Sequence, residues 1–139
     1  MNPGGTLAIL VALVAVSTVL GLVWRARTGR VRVVTTKPEA VSIPEVPING
    51  RATLLQFSTE VCAPCVPTRR ILGEIAKTTD GVAHVDLDLT HRPDLAAQFN
   101  VLQTPTTLIL DAAGVIRARI GGAPRIADVR AALELILVA

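Results

Sequence analysis

The stretch Cys62-Ala63-Pro64-Cys65 contains the only two cysteines of this 139-residue chain, and it constrains the fold and the chemistry more than any other stretch. A disulfide that closes so small a ring removes little entropy from the unfolded chain, so a purely structural bridge here would stabilise a fold weakly. Two thiols at this spacing instead place a resolving thiol beside an attacking one, as thiol–disulfide exchange requires. The pair therefore indicates a redox couple.

The segments around the cysteines predict a strand–helix–strand unit. Residues 52–58 form a short apolar run that is typical of a buried strand. After the cysteines, apolar residues at helical spacing predict a helix that ends at Asp80-Gly81. Alternating residues over 82–89 predict a second strand, which should run parallel to the first.

The second half of the chain predicts a helix, a hairpin and a final helix. Pro93 opens a short helix that Asn100 can cap, and Pro124 opens the last helix. The hairpin has a turn at 111–114 between strands at 106–110 and 115–120. The order is therefore βαβ followed by αββα, an α/β arrangement with a mixed sheet flanked by helices.

The two cysteines are expected to play different roles. Cys62 is placed where the first strand ends and the helix begins, and the unpaired N–H groups there should lower the pKa of its thiol. It is therefore the candidate nucleophile, and the less exposed Cys65 is the candidate resolving thiol. Pro64 fits the first turn of a helix, whereas Pro67 predicts either a kink or a delayed helix start.

Three other interpretations of the cysteines are weaker. A structural zinc site needs four ligands, and the further candidates, His84 and His91, have six residues between them instead of three to five. A structural disulfide is disfavoured by its small ring. A pair of inert buried thiols is disfavoured by the position at a helix start. The sequence predicts no metal.

Residues 51–139 resemble the thioredoxin family. The resemblance rests on five features in order: Phe57 in the first strand, Cys62-Ala63-Pro64-Cys65, Thr104-Pro105-Thr106, the turn Asp111–Gly114, and Gly121-Gly122. It implies the thioredoxin fold with a central four-stranded sheet. It also implies that Pro105 is cis and lies against the disulfide, that the Thr104 backbone binds an incoming substrate strand, and that Gly122 leaves room for that strand.

The chain departs from this family at three positions near the cysteines. Val61 and Ser58 stand where the family has tryptophans, and Gln56 stands where it has a buried carboxylate that assists proton transfer. An amide cannot titrate, so that acid–base route is absent. A lysine that usually pairs with the carboxylate aligns near Asp86. Asp86 is a candidate for proton transfer, against the alternative that it simply faces water.

The N-terminal part predicts a transmembrane helix over 6–24. These residues carry no charge, and at about 1.5 Å per residue they nearly span the ~30 Å of a bilayer core. Trp24 suits the membrane interface. A cleaved signal peptide and a buried core helix are the alternatives, and the lack of cationic residues before the segment disfavours the first.

A basic juxtamembrane segment and a proline-containing linker are predicted over 25–50. Its prolines should give a semi-rigid spacer instead of a packed unit, although Val31–Thr35 could pair as an edge strand. Its cationic residues place it on the cytoplasmic side and should attract anionic lipid head groups. These residues are Arg25, Arg27, Arg30, Arg32 and Lys37.

Together these observations predict a membrane-tethered thiol–disulfide oxidoreductase that acts on protein disulfides, with reduction favoured in the cytosol and an external reductase as electron donor. The alternatives are an outward-facing enzyme for cytochrome maturation or disulfide repair, and a non-catalytic binding module on the same scaffold. No nucleotide-binding loop is present in the sequence, so no cofactor is predicted. With two Phe, one Trp and no Tyr, the sequence offers no stacking surface for nucleic acid.

Overall fold

The computed structural model describes residues 2–34 and 40–138. Within these residues, four helices and five strands follow one another in the order α1 (Pro3–Arg27), β1 (Val31–Val33), β2 (Ala52–Ser58), α2 (Cys65–Thr78), β3 (Val82–Asp88), α3 (Pro93–Gln98), β4 (Thr106–Asp111), β5 (Ile116–Gly121) and α4 (Ile126–Val138). After β1, this is the predicted βαβ and αββα order.

The strands form one mixed sheet in the order β1-β5-β4-β2-β3. β2 and β3 are parallel, and the other neighbouring pairs are antiparallel. The predicted central sheet of four strands is confirmed, and β1 extends it as a fifth strand along β5, with Val31 opposite Ile120.

Helices cover both faces of the sheet because successive side chains of each strand point to opposite sides. On one face, buried side chains of α2 and α4, including Leu72 and Leu133, pack on Leu54. On the other face, Phe57 stacks on Phe99, which follows α3, with ring centroids 5.5 Å apart. Both faces of β2 are therefore buried, as predicted for this short apolar run, and its polar residues are buried with the apolar ones.

The structure corrects the predicted linker. Val41, Ile43 and Val46 are only 4%, 6% and 5% exposed, and they pack in the same cluster as Phe57. The Val41 N–H donates to the Gly114 carbonyl at 2.9 Å, which fixes this segment beside the β4–β5 turn. Pro44 and Pro47 lie at exposed positions, so the apolar residues beside them remain free to pack. The folded unit therefore begins before residue 51.

For the first half of the predicted linker, the structure tests the edge strand but not all of the residues around it. The predicted edge strand is present at Val31–Val33, while Thr35, Lys37, Pro38 and Glu39 lie outside the described residues.

Helix α1 is long and apolar enough to cross a membrane. No part of its apolar window is buried inside the protein, which disfavours the core-helix alternative, whereas a signal sequence would pass the same test of length and composition. Immediately after α1, the Thr28 N–H donates to the Trp24 carbonyl and the Gly29 N–H donates to the Gly121 carbonyl. The second residue after the helix is thus hydrogen-bonded to the last residue of β5.

Candidate active site

The site lies where β2 ends and β4 begins. These strands are antiparallel neighbours, with Phe57 opposite Thr106, so the loop after β2 and the loop before β4 emerge at the same edge of the sheet. The side-chain hydroxyls of Thr59 and Thr104 are hydrogen-bonded at 3.3 Å and link the two loops. The first loop carries Cys62 and ends where Cys65 begins α2, and the second carries Pro105.

Cys62 and Cys65 form a disulfide with Cα atoms 5.3 Å apart. Cys62 is 7% exposed and Cys65 is 2% exposed, in the predicted order. The Cys65 N–H donates to the Cys62 carbonyl at 3.1 Å and closes the turn between them. The pair is therefore sulfur-bonded at the start of α2, with its outer member nearer the solvent.

Helix α2 begins at Cys65, whereas the sequence predicts that it begins at Cys62, three residues earlier. The delayed start resolves the difficulty of Pro67, which falls in the first helical turn, where its missing N–H leaves no helical hydrogen bond unmade. Cys62 consequently lies in the turn before the helix, and it contacts the helix start through its bond to Cys65.

Pro105 is buried, and the Thr104–Pro105 peptide bond is cis, as the resemblance implied. The Pro105 carbonyl accepts a hydrogen bond from the Gly122 N–H at 2.8 Å. Gly122 has φ +85°, and a Cβ added to it would come within 2.5 Å of Thr28 Cγ2. The space expected for a substrate strand beside Gly122 is therefore bordered by the chain's own Thr28.

Three exposed apolar side chains flank the two loops. Val61 is 96% exposed immediately before Cys62, Val66 is 57% exposed immediately after Cys65, and Leu102 is 87% exposed ahead of Thr104. Apolar surface of this kind beside a reactive group offers contact area to a partner chain.

Gln56 lies fully buried in the middle of β2, on the side of the sheet that α2 covers. Its Nε2 donates to the Cys65 carbonyl at 3.1 Å, and its Oε1 lies 3.3 Å from His84 Nε2. Burial lowers the pKa of His84; the Asp86 carboxylate opposes this shift, and Arg69 adds to it. Hydrogen bonds through the Gln56 amide thus connect the Cys65 carbonyl to the titratable imidazole of His84.

Asp86 is held by other partners. It accepts hydrogen bonds from Ser58 Oγ at 2.7 Å and from Arg69 Nε at 2.6 Å, and it forms an ion pair with Arg69. The side chain hydrogen-bonded to Gln56 is that of His84 instead. A proton-transfer role for Asp86 stays a prediction.

Within residues 2–34 and 40–138, no group of three or more His, Cys, Asp or Glu side chains is placed so that it could hold a metal ion.

Comparison with known proteins assigns the family. The family model for thioredoxin matches residues 41–134, which is more than half of the chain. The chain belongs to the thioredoxin family. The match begins at Val41, in agreement with the burial of that residue in the core.

Individual thioredoxins are similar over part of their length. Thioredoxin H5 from Oryza sativa is 27% identical over 58% of this chain and 60% of its own length. Thioredoxin C-2 from Corynebacterium nephridii is 32% identical over 52% of this chain and 68% of its own. A mutant thioredoxin from Halobacterium salinarum shares the fold, with a TM-score of 0.57 and 18% identity over 63% of this chain and 76% of that one.

Two features of this thioredoxin site were missed by the sequence interpretation. From the sequence, His84 is a candidate only for a zinc ligand, although its position two residues before Asp86 places both on one face of a strand. Thr28 gave no signal at all, because its contact with Gly122 joins segments far apart in the chain.

Proposed function

We propose that this chain is a membrane-tethered thiol–disulfide oxidoreductase of the thioredoxin type that acts on protein disulfides. The observation that carries the proposal is the Cys62–Cys65 disulfide at the start of α2. The loop before it is hydrogen-bonded to the loop that contains cis-Pro105. Thr104, Pro105 and Gly122 are the proposed substrate groove, and Val61, Val66 and Leu102 supply apolar contacts at its rim.

The reaction begins from the reduced pair. The Cys62 thiolate attacks one sulfur of the partner's disulfide, forms a mixed disulfide and releases the other partner sulfur as a thiolate that takes up a proton. Cys65 then loses its proton and attacks Cys62, so that the Cys62–Cys65 bond forms and the partner leaves fully reduced. Two electrons pass to the partner, and an external reductant restores the dithiol.

The membrane part of the proposal rests on α1. Its length and composition suit a single span, and the arginines that follow it favour a cytoplasmic domain that reduces its partners. The alternative is an outward-facing domain for cytochrome maturation or disulfide repair. An impermeant maleimide applied to intact cells after mild reduction separates these cases, because labelling of the cysteines without lysis would contradict the cytoplasmic orientation.

The catalytic proposal is tested by insulin reduction in the presence of dithiothreitol, with the full chain in detergent. The wild type should accelerate precipitation of the insulin chains, while Cys62→Ser should reduce the rate to that of dithiothreitol alone. Cys65→Ser is the matched variant: it keeps the attacking thiol, so it should accumulate mixed disulfides that identify the natural partners.

A non-catalytic binding module is the second candidate, since the buried Gln56 cannot take up a proton at the position where the family has a carboxylate. A wild-type rate no faster than that of Cys62→Ser would favour this candidate and overturn the enzymatic proposal.

A further inference from the structure

The inference concerns the buried pair Gln56 and His84 and rests on the proposed redox function. A primary amide with 0% exposure in the centre of a sheet is costly to bury unless its hydrogen bonds are made. Here the amide is satisfied at both ends, by the Cys65 carbonyl and by the His84 ring. It forms the connection between the redox pair and a titratable group.

The hydrogen-bond chemistry fixes the state of the imidazole. The Cys65 carbonyl can only accept, so Gln56 must present its NH₂ group to it and its oxygen to His84. That oxygen can also only accept, so His84 Nε2 must carry a hydrogen. The second ring nitrogen, Nδ1, is then the atom that gains or loses a proton when His84 titrates, and the contact with Gln56 survives both states.

Nδ1 has room to take up that proton. It faces α2 at Gly73, where even an added Cβ would lie 3.8 Å away. The charged groups that act on the ring are Asp86 on its own strand and Arg69 on α2. These two form an ion pair with each other, so neither charge acts on His84 alone.

We propose that His84 is a positioning residue for the Cys62–Cys65 pair, and that the charge on its imidazole and the redox state of the pair influence each other across Gln56. Reduction adds two electrons to the disulfide. Of the two sulfurs formed, Cys65 holds a proton and Cys62 becomes the thiolate, which leaves a negative charge where the oxidised protein has none. That charge favours protonation of His84 Nδ1, and by linkage a protonated His84 favours the thiolate.

The test is an NMR titration of the full chain in detergent with isotope-labelled histidine, in the oxidised state and after reduction with dithiothreitol. The His84 signal should show one inflection when oxidised. When reduced, its curve should move to higher pH or gain a second inflection at the pH where Cys62 ionises, which ultraviolet thiolate absorbance reports independently. The exposed His91 provides an internal reference signal.

Two variants identify the route of the coupling. Gln56→Met keeps the length and burial of the side chain but removes both hydrogen bonds, so the difference between the two redox states should shrink. Thr107→Val is the matched control: Thr107 lies directly opposite Gln56 on β4, and its buried hydroxyl has no hydrogen-bond partner among the described residues. This control should retain the full difference.

Superimposable oxidised and reduced curves in the wild type would overturn the proposal, and so would a full difference that persists in Gln56→Met. If Gln56→Met does not fold, the wild-type comparison alone decides. The titration needs only a reducible disulfide, so a chain that fails to reduce insulin can still pass or fail it.

Discussion

The core position of residues 41–46 predicts that Ile43→Ala destabilises the domain substantially. Ile43 is 6% exposed in the cluster that contains Phe57 and Phe99. Replacing a buried isoleucine by alanine costs about 2–5 kcal/mol, and a site in an irregular edge segment can partly collapse, so we expect about 2–3 kcal/mol. A fragment that starts at residue 51 loses Val41 and Val46 as well. At about 1.5–3 kcal/mol per buried side chain, that loss approaches the whole stability of a typical domain, about 5–15 kcal/mol.

The measurement is urea denaturation followed by far-ultraviolet circular dichroism, because the single tryptophan, Trp24, lies in α1 and does not report on the core. Ser42→Ala is the matched control, since Ser42 is the exposed neighbour of Ile43 and should change the free energy of unfolding by less than about 0.5 kcal/mol. If Ile43→Ala and Ser42→Ala unfold at the same urea concentration, or if the fragment 51–139 is as stable as the full chain, the packing argument is refuted.

Three further predictions concern single side chains. Gly122→Ala should lower the free energy of unfolding by at least about 1–2 kcal/mol, because the φ of Gly122 is +85° and the new Cβ meets a threonine methyl group. Gly73→Ala should raise the free energy of unfolding by about 0.5–1 kcal/mol, because Gly73 lies inside α2 and a Cβ there has no close neighbour. Thermal unfolding of both variants checks these opposite signs. Burial raises the pKa of Asp111, but two backbone N–H groups and an arginine outweigh it, so the folded pKa is lowered. The stability that Asp111 contributes is therefore fully present above the pKa of the unfolded state and is lost as the pH falls through the pKa of the folded state. Asp111→Asn should lower the free energy of unfolding by about 1–2 kcal/mol at neutral pH and by progressively less in acid. Denaturation at a series of pH values measures this difference. Asp86→Asn removes the carboxylate that raises the pKa of His84 against burial, so the NMR titration of His84 should move to lower pH; a move to higher pH would contradict this assignment.

Local signals predicted most of the elements correctly. Asn100 adopts φ 48° after α3, and its N–H and that of Val101 bond back to Ala97 and Ala96, so the predicted cap is present as a Schellman motif. Gly114 closes the predicted turn with φ +75°. Such features depend on neighbours within a few residues, which the sequence displays directly.

Contacts between segments that are far apart in the chain were harder to predict from the sequence. The packing of Ile43 depends on strand residues such as Phe57 and Leu108 that lie far from it in the chain, whereas the prolines around it suggest a spacer. Likewise, His84 and Asp86 share one face of β3, and alternation alone could not tell which of them meets Gln56. Arg69 on α2 engages Asp86, and His84 is the one that contacts the amide.

The hydrogen bond from the Gly29 N–H to the Gly121 carbonyl limits how α1 can move relative to the sheet. Only Thr28 separates the end of α1 from this bond, and β1 then continues directly along β5. The N-terminal helix and the thioredoxin-fold domain are therefore joined by a short, hydrogen-bonded connection and not by a flexible linker. If α1 is inserted in a bilayer, this connection holds the Cys62–Cys65 pair at a nearly constant distance from the lipid surface, and under the proposed function a partner's disulfide must reach that same distance.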